Sequence, residues 1–243
     1  MFPNAQRCIR EMLLVQGDDG MAAQIPIEHI RNLGGVTRTF TAGSAICGYD
    51  DDAPRLLFVV NGWAACSKML PNGTRFVTEF VLHGGMISTT LTALSREIVR
   101  AVTNVTVVAF PDFTSLPKIE APTFFYRIVI GELMRHQARM SERLANMGRR
   151  DALERTGHML LELGTRAGMS RDYDNCEYFD CPLTQADIGD AVGLSTVHIN
   201  RVLRDMREAR LLSFRNGIVV FLDRARLADL VDFDESCFDA TMI

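Results

Sequence analysis

The spacing of apolar and polar residues changes twice along the 243-residue chain. Residues 1–35 show weak periodicity and read as helix and loop. From Val36 onward, short β-rich runs follow one another: Val36–Phe40, Arg55–Val60, Ala64–Met69, Phe76–Phe80, Ile98–Val102 and Val105–Phe110. Turn signals separate them at Ala42-Gly43, Asn61-Gly62, Pro71-Asn72-Gly73 and Gly84-Gly85. Closely spaced short strands of this kind predict an antiparallel roll or barrel. Within Leu70-Pro71-Asn72-Gly73-Thr74, Asn-Gly predicts a tight hairpin with left-handed backbone angles.

After Pro111 the period lengthens. Pro117 and Pro122 bracket a short helix or loop, and Pro122 suits the first turn of a long helix because its missing N–H has no partner there anyway. That helix is predicted to run to about Met147. Ile130, Leu133, Gln137, Met140, Leu144 and Met147 recur alternately three and four residues apart, the spacing of a coiled-coil seam. Gln137, the one polar member, can fix register and partner number at some loss of stability. A helix packed only on its own domain is the alternative. Its length, and its place after a β-unit, favour a parallel homodimer. Gly148 is expected to break the helix, and Asp151 to cap the next, which runs to about Ala167 with Leu153, Leu160, Leu161 and Leu163 inward. Residues 168–182, with Asp172, Asp174, Asn175 and Pro182, read as a connecting loop.

The most specific stretch is 183–222. Thr184 can cap a short helix from Gln185 to Val192, with Asp187 near its positive end. Gly193 makes a sharp turn. Ser195 caps a second helix that continues to about Ala209. Ile188, Val192, Leu194, Ile199, Val202, Leu203 and Met206 supply a buried face. Two helices joined by a tight glycine turn form a helix-turn-helix. The second exposes Thr196, Val197, His198, Asn200, Arg201 and Arg204, side chains able to reach base edges in a major groove. Leu211–Arg215, Asn216-Gly217 and Ile218–Leu222 then read as a β-hairpin, the wing of a winged helix. Arg215 at its tip suits a phosphate contact. Thr184, Gln185 and Ser195 lie at helix N-termini, where backbone N–H groups favour phosphate oxygens.

Composition permits this reading. The net charge is −4, and the last 21 residues, Asp223 to Ile243, account for all of it with six acids and two arginines. Residues 127–171 carry nine arginines against five acids. Binding to nucleic acid needs a basic face, not a basic whole. No apolar run reaches the ~20 residues that span a bilayer, and no secretory signal is visible, so a cytoplasmic location without a membrane partner is expected. The six cysteines (Cys8, Cys47, Cys66, Cys176, Cys181 and Cys237) form no CxxC pair and read as scattered reduced thiols. No nucleophile elbow, metal-spaced His/Glu pair or phosphate loop is present, so neither an enzyme nor a metal site is expected.

The order β-roll, long helix, winged helix resembles the CRP/FNR transcription regulators from residue 36 to 230. The motifs that carry the resemblance are Phe40-Thr41-Ala42-Gly43, Leu57-Phe58-Val59-Val60-Asn61-Gly62, Leu70-Pro71-Asn72-Gly73, Gly148 through Arg155, and Leu183-Thr184-Gln185-Ala186-Asp187-Ile188-Gly189 through Arg201. The resemblance implies an α+β fold. It comprises an antiparallel, cyclic-nucleotide-binding-like β-roll sensor over 1–121, a dimerisation helix over 122–147, and a winged helix-turn-helix with an acidic tail over 148–243. It further implies a homodimer on double-stranded DNA at a pseudo-palindromic operator, with RNA polymerase as a further candidate partner. Arg201 matches the family arginine that reads guanine, and its planar fork fits O6 and N7. Asn200 occupies the small-residue position before it. Val197 stands where many relatives carry glutamate. Valine cannot accept from a cytosine amino group but can touch a thymine methyl, so the half-site should differ from theirs.

The effector is less legible. Nucleotide-binding relatives hold the ribose with a Gly-Glu pair and the phosphate with an Arg-Ser pair. Here those positions read Ser88-Thr89 and Ser95-Arg96, with no carboxylate for the ribose, which argues against a cyclic nucleotide. Cys8 alone precedes Cys47, which argues against the clustered-cysteine iron–sulfur site of the FNR branch. His83, Cys66 and His29 are haem candidates by type alone, and haem is not expected. An unnamed small ligand, a redox signal or no ligand is left. The competing function is a regulatory module that docks on a protein partner through its winged helix. Salt titration separates the two, since counterion release makes DNA binding steeply salt-dependent.

Overall fold

The structure, a computed structural model, describes residues 35–48, 55–111, 123–171 and 176–238. Eight strands build its first half: β1 (Val36–Phe40), β2 (Ala45–Cys47), β3 (Arg55–Asn61), β4 (Ala64–Met69), β5 (Arg75–Val81), β6 (Met86–Ser88), β7 (Ile98–Ala101) and β8 (Val105–Pro111). They pair antiparallel in two four-stranded sheets, ordered β1-β8-β3-β6 and β2-β7-β4-β5. Leu57, Val59, Val105 and Val107 from one sheet meet Ala64, Val81, Val99 and Ala101 from the other in an apolar interior.

Both sheets are also covered on the outside. Leu56 and Phe58 alternate with Leu57 and Val59, so β3 is apolar on both faces because both are buried. Its outer face joins Val108 and Phe110 under Phe125 and Val129 of the long helix α2 (Thr123–Arg149). The Phe58, Phe110 and Phe125 rings meet tilted or edge-on at 5.1–6.0 Å, which adds roughly 0.5–1.5 kcal/mol per pair beyond area burial. A short helix α1 (Thr89–Ser95) links β6 to β7.

The second half contains α3 (Ala152–Ala167), β9 (Ser170–Arg171), β10 (Glu177–Asp180), α4 (Gln185–Val192), α5 (Thr196–Glu208), β11 (Leu212–Arg215), β12 (Ile218–Phe221) and α6 (Arg224–Val231). A single 3-10 turn, Glu235–Cys237, follows. Leu160, Leu161, Leu163, Ile188, Ile199, Met206, Phe221 and Leu227 form the core of this head. The same cluster continues onto the outer face of the second roll sheet through Ala65, Val77, Phe80 and Leu82.

Several local expectations need correction. Residues 168–182 are not a plain loop. They hold β9 and β10, and β10 pairs with β12 in a third sheet ordered β11-β12-β10-β9. Asp172, Asp174 and Asn175 lie outside the described residues, as do residues 1–34, Pro117 and Pro122. Gly148 does not break the long helix, which runs through it to Arg149 in open surroundings. The break comes at Asp151, whose extended backbone starts a capping box. Its carboxylate accepts from the Leu153 and Glu154 N–H groups at 2.8 and 2.9 Å, and Glu154 accepts from the Asp151 N–H at 2.7 Å. In the β4–β5 hairpin only Gly73 is left-handed (φ +80°). Asn72 instead accepts the Thr74 N–H on its side chain at 3.0 Å. Part of the acidic C-terminal stretch is helical, as α6.

Candidate nucleic-acid interface

Thr184 and Asp187 start α4 with a reciprocal box. Thr184 Oγ1 accepts from the Asp187 N–H at 3.1 Å, while the Asp187 carboxylate accepts from the Thr184 N–H at 2.9 Å and from its hydroxyl at 2.6 Å. The carboxylate also complements the positive end of the helix. Two glycines shape the turn between α4 and α5, Gly193 where α2 approaches it and Gly189 where it folds back on α4. Gly193 has φ +70°, and a Cβ there would lie 2.8 Å from the Met147 methyl. A Cβ on Gly189 would lie 2.5 Å from the Leu194 carbonyl oxygen. Ser195 caps α5 by accepting from the His198 N–H at 3.3 Å.

Ile199, Val202, Leu203 and Met206 bury one face of α5. The other face is a stripe of Val197, Asn200, Arg201 and Arg204, which with Arg207 lines a shallow groove. Val197 is 81% exposed. Among the described residues the Arg201 guanidinium meets only the His198 ring, at 3.4 Å, and no carboxylate. Arg204 has loose ion pairs, at 4.0 Å to Asp205 and 3.9 Å to Glu208. A row of solvated cations around one apolar side chain is what the base edges and phosphates of a major groove can use.

The wing follows directly. Arg215 pairs with Ile218 across the two-residue turn Asn216-Gly217, with φ values of +52° and +74°. The Gly217 carbonyl accepts from the Cys181 N–H at 2.7 Å, which anchors the tip and leaves Arg215 exposed beside it.

Residues 154–230 match the Crp-like helix-turn-helix domain. The nitrogen fixation regulation protein FixK of Azorhizobium caulinodans is 28% identical over 81% of this chain and 79% of its own. Among solved structures, FixK2 from Bradyrhizobium japonicum superimposes with a TM-score of 0.66 at 23% identity, covering 81% of this chain and 96% of that one. A CRP-family regulator from Thermus thermophilus does so with a TM-score of 0.66 at 22% identity, covering 80% and 96%. Over about four fifths of its length the chain is thus similar to FixK and to CRP-family transcription regulators, and its C-terminal part matches their helix-turn-helix. Its relatives are regulators rather than enzymes, and no helix among the described residues is long and apolar enough to cross a membrane.

The other expected site residues are spread over three helices and the roll. Thr196 is exposed and His198 half-buried at the start of α5, while Thr184 is exposed and Gln185 half-buried at the start of α4. On α2, Ile130, Gln137 and Leu144 face outward, with Leu144 74% exposed. Leu133 is half-buried against the roll, Met140 is half-buried, and Met147 reaches Gly193 of the head. Met134, 42% exposed, and Ser141 complete the outward stripe at coiled-coil spacing.

Ser88 and Thr89 have structural partners. Ser88 caps α1, and Thr89 Oγ1 accepts from the Arg55 N–H at 2.8 Å. At the other end of α1, the Ser95 hydroxyl donates to the Leu91 carbonyl at 2.8 Å, and Arg96 is an exposed left-handed C-cap. Cys66 is buried in the roll, where burial first and the Glu79 charge second push its thiol well above the ordinary range. The exposed His83 binds the Val60 carbonyl at 2.6 Å, and His29 lies outside the described residues. Among the described residues no group of three or more His, Cys, Asp or Glu could hold a metal.

Two polar clusters had no signal in the sequence, because each joins segments distant along the chain: Glu79 lies 60 residues from Arg139, and Arg150 lies 82 from Asp232. In the first, buried Glu79 on β5 accepts from Arg139 at 2.8 Å, pairs with His136, and lies 3.6 Å from Arg166 on α3. Burial alone would raise the Glu79 pKa, but Arg139, His136 and Arg166 hold it far below the carboxylate range. The hydrogen bond to Glu79 raises His136 in turn, against its own burial.

The second cluster sits at the α2–α3 hinge. Arg150 donates to Asn146 Oδ1 at 2.5 Å, so the Asn146 amide nitrogen faces His158 Nδ1, 3.0 Å away. Arginine only donates, so Nδ1 must carry the lone pair and the proton lies on Nε2. Burial, aided by Arg150, lowers the His158 pKa to about 4. The C-terminal segment closes over this hinge. Phe233 and Phe238 stack at 5.3 Å and meet the His158 ring edge-on at 5.1 and 5.9 Å, while Arg150 donates to the Asp232 carbonyl at 3.0 Å.

Proposed function

We propose that the regulator binds an imperfectly palindromic DNA operator in the cytoplasm as a parallel homodimer, with α5 of each subunit in a major groove. The observation that carries this reading is the outward stripe on α5, where Arg201 has no carboxylate partner among the described residues. Arg201 reads a guanine through O6 and N7, and Val197 touches a thymine methyl beside it. Thr196, His198, Asn200 and Arg204 flank those two contacts. Thr184, Gln185 and Ser195 at helix starts, and Arg215 at the wing tip, bind phosphates. The seam of Ile130, Leu133, Gln137, Met140, Leu144 and Met147 joins two copies, with Ile130, Gln137 and Leu144 the members already facing outward. RNA polymerase is a candidate partner on the strength of the family alone.

The test is Arg201→Ala on the regulator's own operator and on single-base variants of it. The substitution should cost ~1–3 kcal/mol and remove discrimination at one base pair per half-site. Equal weakening on every duplex would make Arg201 a phosphate contact. Binding insensitive to salt would favour docking on a protein instead.

A further inference from the structure

The sensor roll and the head meet along β5, and Arg75 at its start makes the meeting ionic. Its Nε donates to Asp190 Oδ2 at 2.6 Å and its Nη2 to Asp187 Oδ1 at 2.5 Å. The two acids lie three residues apart on α4, so one planar fork spans both. Asp187 divides its oxygens, since Oδ2 serves the Thr184 cap while Oδ1 takes Arg75. Further along β5, Val77 enters the head's apolar core and Glu79 gathers Arg139 and Arg166. The Glu79 end is buried, whereas the Arg75 side chain is 32% exposed.

The first helix of a helix-turn-helix crosses the DNA backbone while the second enters the groove. In that pose Asp187 and Asp190 would add two carboxylates to the helix that lies along the phosphate strand. Unneutralised, they would repel it.

We propose that Arg75 is a positioning residue for DNA binding, fixing α4, and with it the reading helix α5, on the sensor roll while neutralising Asp187 and Asp190. The proposal rests on the DNA-binding reading above. It gives the roll a direct handle on the head, because any movement of the β4–β5 hairpin moves the cation that holds α4.

The experiment uses the full-length protein and compares wild type, Arg75→Gln, Arg75→Lys, Asp190→Asn and the Arg75→Gln/Asp190→Asn double variant on the operator and on unrelated duplex DNA. Arg75→Gln should bind about tenfold more weakly at low salt, by a similar factor on both duplexes, and the gap should narrow as salt rises. Arg75→Lys should recover part of the loss. The double variant should bind better than Arg75→Gln alone, because one repelling charge has gone.

A loss of the same size with and without Asp190, together with a salt slope lower by about one, would mean that Arg75 itself touches phosphate, and overturns the proposal. A lower melting temperature with unchanged affinity in the folded range would also overturn it. If Arg75→Gln does not fold, Arg75→Lys decides: weaker binding to both duplexes, narrowing as salt rises, supports the proposal, and wild-type affinity opposes it. Wild type that binds no duplex at all sinks the DNA-binding reading, and this proposal with it.

Discussion

At the scale of single residues, Val197 carries the proposed base preference of α5. An exposed valine among cations gains nothing from water and can gain from a thymine methyl. Val197→Glu should shift the half-site toward cytosine at one position, by ~1–3 kcal/mol of discrimination. Competition between duplexes that differ only at that base checks it, and an unchanged preference would remove Val197 from the base contacts. His158 makes a second prediction at this scale. Its folded pKa of about 4 lies below the ordinary histidine value. A depressed histidine binds its proton more readily when unfolded, so its stabilisation is full above pH ~6.5 and fades as pH falls toward 4. The loss should be on the order of 2–3 kcal/mol across that window. An NMR titration should find the ring neutral down to about pH 5, and a midpoint near 6.5 would contradict the buried, Asn146-bonded state.

At the scale of elements, the hinge depends on a segment distant in sequence. Phe233 and Phe238 lie over His158, and Arg150 ties the Asp232 carbonyl to the end of α2. The double variant Phe233→Ala/Phe238→Ala should speed tryptic cleavage after Arg149 and Arg150 several-fold while the roll stays intact, and unchanged cleavage would show that the segment does not brace the hinge. Elements with strong local signals were legible in the sequence. The capped helices α4 and α5 and the Asn-Gly wing carry their own start, turn and stop residues. Other elements were not. β2, β6 and β9 have two or three residues each and exist because a neighbouring strand offers a ladder. β10 is set in a polar stretch and is defined by its pairing with β12. Gly148 misled because a glycine within a helix costs only about 1 kcal/mol and does not by itself end one. The contacts that position the head, Arg75 with Asp187 and Glu79 with Arg139 and Arg166, join residues that no local pattern relates.

At the scale of the whole molecule, the roll is enclosed between two neighbours. Its first sheet lies under α2 and its second against the head, so one roll touches both the helix proposed to pair subunits and the helices proposed to meet DNA. A ligand or redox change in the roll can alter DNA affinity only through a difference in its own affinity for the two arrangements. In the proposed dimer the exposed stripe on α2 would set the spacing of the two heads. Leu144→Asp should shift the protein to monomer by sedimentation and lower operator affinity at least tenfold. A stable dimer in that variant would place the subunit contact elsewhere.

Selection of bound duplexes from a random library by the purified full-length protein tests the central claim most directly. The account predicts enrichment of an inverted repeat with a guanine in each half-site and half-site centres about one helical turn apart. A single unrepeated site, or no enrichment over the starting library, would contradict it.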